Sequence, residues 1–367
     1  MQGSLVGKKG DWVRPEGRRG RGATRNPAGR YEHTAHSIFD DGWGGLDRFK
    51  DPQPTQVTEL KDASIVNYVS SPDLAFERSI NPYRGCEHGC IYCFARPSHA
   101  YFGLSSGLDF ETRLFVKPGA ADVLGKELLA EGYKPRTIAI GTNTDAYQPI
   151  ERQWRVMRGI LEVLDRFNHP VSILTKSNLV VRDIDILSRM AKRRLAVVSL
   201  SLTTLDQALA RKMEPRASAP RLRLAAIRKL TGAGIPTGVM TAPVIPAIND
   251  HELEALLEAA YDAGARRAGY TLLRLPHEIK DLFADWLNEH FPDRAGHVLS
   301  LVRGMRGGRL NDPRFGARMH GQGAYGRMIS QRFHLAARRL GFNREKLTVD
   351  LKSFARPPEP GQQLRLL

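Results

Sequence analysis

Between residues 79 and 273, short apolar runs rich in β-formers alternate with segments of helical period, and nothing else in the 367-residue chain limits its fold so strongly. The β-rich runs fall at residues 79–84, 112–117, 137–141, 171–175, 195–201, 237–242 and 268–273. Helical spacing is clearest over residues 150–167, where Trp154, Met157, Leu161 and Leu164 recur at steps of three and four. A second helix is expected over residues 250–263, with Leu253, Leu256, Leu257 and Ala260 on one face and Asn249 as its N-cap. A third, over residues 218–233, stops at Gly234-Ile-Pro236. Strands joined by helical crossovers run parallel, since a parallel pair needs a connection long enough to return the chain to its starting edge. These seven runs are too many for a small sandwich and one short of a closed eightfold barrel, and they show no internal repeat. A partial (β/α) barrel is the expected fold, with functional groups gathered at the C-terminal ends of its strands.

The flanks differ from this body. Residues 1–30 are rich in Gly and Arg, lack an apolar period and read as a disordered basic arm. Residues 31–70 form an N-terminal extension, in which Phe39 and Trp43 offer anchors and Val57 and Ile65-Val66 short strands. The barrel is expected over residues 71–275 and a helical region over 276–345, with a glycine-rich loop at 303–320 and a helix at 322–340. Residues 346–367 read as a tail, frayed after Pro357. The net charge is +16, of which residues 1–30 contribute +6 and residues 301–367 contribute +10, while the 270 residues between carry 33 charges of each sign. Basic ends on a neutral body suggest a polyanionic partner, nucleic acid first, against the plainer alternative of solubilising tails. No apolar run approaches the roughly 18 residues of a membrane span, and the N-terminus lacks an apolar signal core. A cytoplasmic protein without membrane contact is expected.

All three cysteines lie within one octapeptide, Cys86-Glu-His-Gly-Cys90-Ile-Tyr-Cys93. An odd count in a reducing compartment argues against disulfides, and thiolates select zinc, copper(I) or iron–sulfur clusters. Gly85 and Gly89 let the loop wrap around something bulky. Structural zinc would need a fourth ligand, from His88 or His99. A four-iron cluster held by three thiolates would leave one iron open to a substrate. The short spacing, with no second cysteine pair elsewhere, favours the cluster over zinc and over three metal-free thiols.

At these residues the chain resembles the radical S-adenosylmethionine (SAM) superfamily, whose signature Cys-x3-Cys-x-aromatic-Cys is matched by Cys86, Cys90, Tyr92 and Cys93. Within it, the runs Asn81-Pro-Tyr-Arg-Gly-Cys86, Phe94-Ala-Arg96, Gly141-Thr-Asn-Thr-Asp145 and Arg314-Phe-Gly-Ala-Arg-Met319 look like the branch related to spore photoproduct lyase, often labelled photolyase-like DNA repair. The resemblance spans roughly residues 20–345. It implies a six-unit partial barrel, a 4Fe–4S cluster on the three cysteines and SAM on its open iron. It also implies an electron donor of flavodoxin or ferredoxin type. Reductive cleavage would yield a 5′-deoxyadenosyl radical that takes hydrogen from a substrate, with a DNA-repair or lyase-like reaction the nearest analogy.

The same resemblance places Tyr92 beside the adenine of SAM, and Thr142, Asn143 and Thr144 near its amino group, although this loop lacks the usual glycines and acid. Lys176, after the run 171–175, offers a cation for the cofactor carboxylate. Ser199 and Ser201 alternate with Leu200 and so share one strand face, with Ser201 at the strand end as either a cofactor contact or the donor of an internal hydrogen bond. Glu214-Pro-Arg216 brings opposite charges toward ribose or substrate, or forms a surface pair. Arg84 and Arg96 flank the cysteine loop and would meet a phosphate or the cluster's charge. The lyase branch returns hydrogen from an additional cysteine; here Asn143 stands in that place and no thiol is left over. Two other functions compete: a non-enzymatic nucleic-acid-binding protein with structural zinc, and an electron-transfer iron–sulfur protein.

Overall fold

The structure, a computed structural model, describes residues 12–13, 18–32, 54–345 and 349–357. Ten strands follow in chain order: β1 (Gln56–Glu59), β2 (Val66–Tyr68), β3 (Arg78–Ile80), β4 (Tyr83–Arg84), β5 (Arg113–Val116), β6 (Ile138–Ile140), β7 (Val171–Thr175), β8 (Ala196–Ser201), β9 (Thr237–Val244) and β10 (Arg267–Leu272). Six of them, β3-β6-β7-β8-β9-β10, form one parallel sheet, and β2 adds antiparallel to β3 at its edge. Strands β2 and β10 therefore end the sheet, which is a six-unit partial barrel open on one side. The expected fold is present.

Two of the expected strands behave differently. The run at 112–117 forms β5, which leaves the barrel and joins β1 and β4 in a separate three-stranded sheet. The run at 79–84 is split between the two sheets, because Pro82 has no N–H to extend a ladder. Both β1 and β2 lie where the short strands of the extension were expected, while Phe39 and Trp43 fall outside the described residues.

The helix expected over 150–167 breaks in two, Glu151–Trp154 and Val156–Arg166, at Arg155, whose φ is +52°. The cause is Glu151, whose buried carboxylate accepts the backbone N–H of Met157 at 3.2 Å and so caps the second piece. Met157, Ile160, Leu161 and Leu164 of that piece are fully buried against the sheet, each contributing about 1.5–3 kcal/mol. Asn249 does not cap the helix Leu253–Asp262 with its side chain. Its amide accepts from Ile245 N at 2.6 Å and donates to Thr203 O at 2.7 Å, tying β9 to the loop after β8.

Helices Ile279–His290 and Pro292–Met305 build a second apolar cluster around Trp286, Phe283 and Val298, into which Cys90, Ile91 and Tyr92 also pack. Residues 18–30 are not a free arm. Ala23 and Thr24 are fully buried, and Arg18, Arg25 and Arg30 pair with Glu289, Asp285 and Glu278 at 2.7, 3.0 and 3.2 Å. The acids presented by the helix Ile279–His290 and its N-cap thus draw the arm's charge inward. Helix Gly323–Leu340 matches its expected span and ends at Gly341 in the left-handed region. Among the described residues, no helix is long and apolar enough to cross a membrane.

Candidate active site

The cysteine loop follows β4, shortly after β3 ends, and lies near the ends of β7 and β8, where Lys176 reaches Tyr92. Gly85 and Gly89 hold φ of +75° and +67°, and a Cβ at either would stand within 3 Å of Leu114 or Glu111. Only glycine fits both conformation and space. The loop is clamped from three sides. Gln148 donates to Gly85 O at 3.1 Å and accepts from Glu87 N at 2.8 Å. Arg96, fully buried, donates to Cys90 O, Gly89 O and Gly107 O at 2.9, 3.1 and 2.9 Å, and to Glu111 at 2.5 Å. The arm closes the third side, where Gly22 N and Ala23 N both donate to the Glu111 carboxylate, at 2.9 and 2.8 Å. Arg96 therefore organises the loop and is not available to a phosphate. Arg84 turns onto the Phe102 ring, 5.6 Å from its centroid.

The thiols face a shared space: Cys93 packs against the apolar clusters of both Cys86 and Cys90. Burial pushes the Cys86 thiol up, and pushes Cys90 up to about 12. Cys93 adds to both shifts. Three mutually felt thiols on a glycine-hinged cradle fit a cluster, which spreads its thiolates over separate irons. They do not fit zinc. Among the described residues no three Cys, His, Asp or Glu side chains close around a single ion. Of the two histidines near the loop, His88 pairs with Asp145 through Nδ1 at 3.4 Å, and His99 meets the carbonyl of Arg113 through Nε2 at 2.9 Å. If a 4Fe–4S cluster occupies this cradle, Cys86, Cys90 and Cys93 are the residues to hold it.

Beside the thiols lies a charged group of alternating sign. Tyr92 donates its hydroxyl to Glu214, Thr203 donates to the same carboxylate at 2.8 Å, and Arg223 pairs with it. Burial opposes the charge of Glu214, yet Arg223 and Lys176 hold its carboxyl below the usual range. Arg223 also donates to Ser201 O at 3.0 Å and Ser218 O at 2.7 Å, joining the end of β8 to the following helix. Lys176 stands at the end of β7 with its ammonium 5.7 Å from the Tyr92 ring centroid. Burial works against its charge, and nearby Cys90 and Glu214 raise its pKa regardless. Glu214 is thus not a surface partner of Arg216, which pairs with Glu87 at 3.2 Å.

The loop after β6 is held by Asp145, which accepts from Thr175 Oγ1 and Lys176 N, both at 2.7 Å. Burial again opposes its charge, but His88 and these donors keep its carboxyl far below normal. Thr144 donates to Tyr83 O at 2.9 Å and Ser201 to Ala242 O at 3.3 Å, so both hydroxyl protons are used within the fold. Asn143 N donates to Asn81 at 3.3 Å, and Thr142 stays half-buried next to it. Sequence reasoning missed Glu111, Gln148 and Arg223. None lies in a motif, and each acts across a long sequence separation or from within a helix.

Known proteins agree with this arrangement. Residues 80–260 match the Radical SAM superfamily. An uncharacterized protein of Mycobacterium tuberculosis is 38% identical over 232 residues, covering 63% of this chain and 68% of that protein. An uncharacterized protein of Methanocaldococcus jannaschii is 27% identical over 197 residues, covering 54% of this chain and 71% of that one. Among solved structures, a variant of spore photoproduct lyase shares the fold at a TM-score of 0.53 and 15% identity, covering 78% of this chain and 80% of the lyase. Superfamily members are enzymes built on a 4Fe–4S cluster and SAM, and this chain, with Cys86, Cys90 and Cys93 in one loop beside a six-stranded parallel sheet, belongs to the radical SAM superfamily.

Proposed function

We propose that this radical SAM enzyme acts on nucleic acid. The observation that carries the reading is a cleft of about 600 Å³ beside the cysteine loop, lined by Arg19, Arg21, Arg152 and Arg216 together with Glu87 of the loop itself. Burial, and then the nearness of Arg216, lowers the pKa of Arg21. Cations crowded into one concavity favour an anion of repeating charge, and the phosphodiester backbone supplies it. The net charge of +16 acts in the same direction.

The cluster and SAM together supply one-electron cleavage of a carbon–sulfur bond and, through it, hydrogen-atom abstraction from the substrate. The chain's part is placement and exclusion of water. Cys86, Cys90 and Cys93 would hold the cluster. Tyr92, fixed by Glu214, and Lys176, raised toward its charged form, are the residues we assign to SAM, with Lys176 meeting its carboxylate. We assign Thr142 and Asn143 to the cofactor's amino group, while Thr144 and Ser201, whose hydroxyls are used within the fold, serve to set the loop after β6 and the end of β8. The electron comes from a small donor protein of flavodoxin or ferredoxin type.

The chain has three cysteines, all in the loop, so no thiol remains to return a hydrogen atom. The reaction therefore differs from thiol-assisted reversal of spore-type thymine dimers. Anaerobic reconstitution with SAM and dithionite should yield 5′-deoxyadenosine, detected by mass, and DNA or RNA oligonucleotides should increase its yield. Replacing any one of Cys86, Cys90 or Cys93 by alanine should abolish both the brown absorbance and this product. Efficient return of thymine from spore-type dimers, or indifference to every nucleic acid, would overturn the reading.

A further inference from the structure

Two residues beyond β10, at the open side of the barrel mouth, Arg274 has no carboxylate within ion-pair distance among the described residues. Its guanidinium lies 5.4 Å from the ring centroid of Phe94, the residue that follows Cys93. One nitrogen meets only a weak acceptor, Met319 Sδ at 3.4 Å, and Nε is buried with no hydrogen-bond partner. The nearest acid offers no relief. Both oxygens of Asp73 are engaged, by Gly316 N at 2.7 Å and Arg318 Nε at 2.5 Å. Burial, then Arg318, depresses the Arg274 pKa.

The backbone that presents Arg274 is braced. Buried Arg306 donates to Leu273 O and Leu272 O at 2.8 and 3.3 Å, and to Ala317 O and Arg318 O at 2.9 and 2.8 Å. Leu272 N donates to Met319 O at 2.9 Å, so the segment 314–319 runs along the free edge of β10. The backbone on either side of Arg274 is thus held in place while its guanidinium keeps unspent donors. Phe94 beside it is 47% exposed, an unusual setting for a phenyl ring at the rim of a polar mouth. A second pair, Arg318 over Phe315 at 4.5 Å, stands on the same strap, but its cation is already spent on Asp73 and Ser71.

We infer that Arg274 and Phe94 form a substrate subsite at the open side of the mouth: Arg274 receives a backbone phosphate of an unpaired nucleic-acid strand, and the exposed surface of Phe94 stacks on the adjoining base. Guanidinium donors match phosphate oxygens in charge and geometry. An exposed aromatic ring next to such a cation is the usual platform for a splayed base, and a stacked duplex base cannot use it. This inference rests on the nucleic-acid reading above and adds to it the residues and the strand state.

The test uses reconstituted holoenzyme and fluorescent oligothymidylate, with anisotropy followed across a salt series and SAM affinity measured by equilibrium dialysis in parallel. Arg274→Gln should weaken oligonucleotide binding by about tenfold and reduce the salt slope by roughly one. Phe94→Leu should weaken binding by about fivefold and leave the slope unchanged. Arg274→Lys should keep the slope while losing affinity. Iron content and thermal melting report folding, and if Arg274→Gln fails there, Phe94→Leu and Arg274→Lys still decide between slope and affinity. Wild-type protein that binds while Arg274→Gln binds equally well would overturn this inference and leave the nucleic-acid reading standing. Wild-type protein that binds no oligonucleotide at low salt would overturn both. A loss of SAM affinity as large as the loss of oligonucleotide binding would assign Arg274 to the cofactor and overturn the subsite.

Discussion

Glu214 is the residue on which the charges at the mouth converge. Arg223, Tyr92 and Thr203 all donate to it, and all four side chains are buried. Removing its charge strands Arg223 in the interior, and breaking a buried pair from one side costs about 3–5 kcal/mol. Glu214→Gln should therefore lower stability by that order in denaturant unfolding of the metal-free protein; a loss no larger than that of a surface substitution would show that Arg223 finds other acceptors. That the three cysteines, Tyr92 and Lys176 lie close together was legible in the sequence, because each sits in a short motif or at a strand end. The Glu214 partner was not. Proximity in sequence favoured Arg216, two residues away, whereas Arg223 enters from the first turn of the helix Pro220–Gly232, and only the folded helix brings it back over Glu214.

At the level of elements, the parallel strands were visible as β-rich runs because the inner ones, β7 to β9, are largely buried and carry clusters of β-branched and other apolar residues, as in Ala196-Val-Val of β8. What stayed hidden were the interruptions: the departure of β5 to a side sheet and the break at Arg155. The first depends on strands far away in sequence, and the second on a local carboxylate, Glu151, whose bond to Met157 N no helical period reveals. The N-terminal segment is the largest such surprise. Its glycines and arginines look like solvated chain, yet Gly22 approaches so closely that a Cβ there would lie 2.0 Å from Gly89 O. Its two backbone donors complete the shell of Glu111, which in turn holds Arg96 under the cysteine loop. Deleting residues 1–30 should thus speed cluster loss on exposure to chelator, followed as decay of absorbance near about 400 nm. The milder change Gly22→Ala should do the same in part. Unchanged cluster lifetime in both would mean that the loop closes without the arm.

For the molecule as a whole, charge counting located the basic excess but not its use. Arginines of the C-terminal region pair with body acids, Arg332 with Glu254 at 2.6 Å and Arg339 with Glu258, just as the arm's arginines pair with the acids at helix Ile279–His290. Stability should depend on pH through the barrel floor. There His169, fully buried, is held neutral between the Tyr133 hydroxyl at 2.8 Å and Pro170 O at 3.1 Å, with Phe354 of the tail against it. Burial lowers its pKa from 6.5 to about 4. The unfolded chain therefore binds the proton first. The stability His169 contributes is complete above about pH 6.5 and is lost as pH falls toward 4, by about 3 kcal/mol in all. Melting temperatures of wild type and His169→Gln measured across that interval should converge on acidification; parallel curves would deny His169 the role. One further consequence concerns synthesis. The two ends of the barrel sheet are stitched together by the segment 314–319, through Arg318 to Asp73 and Met319 to Leu272. A ribosome delivers that segment only after all six parallel strands have emerged, so the nascent barrel waits with its seam unfastened and is most in need of chaperone cover during that interval.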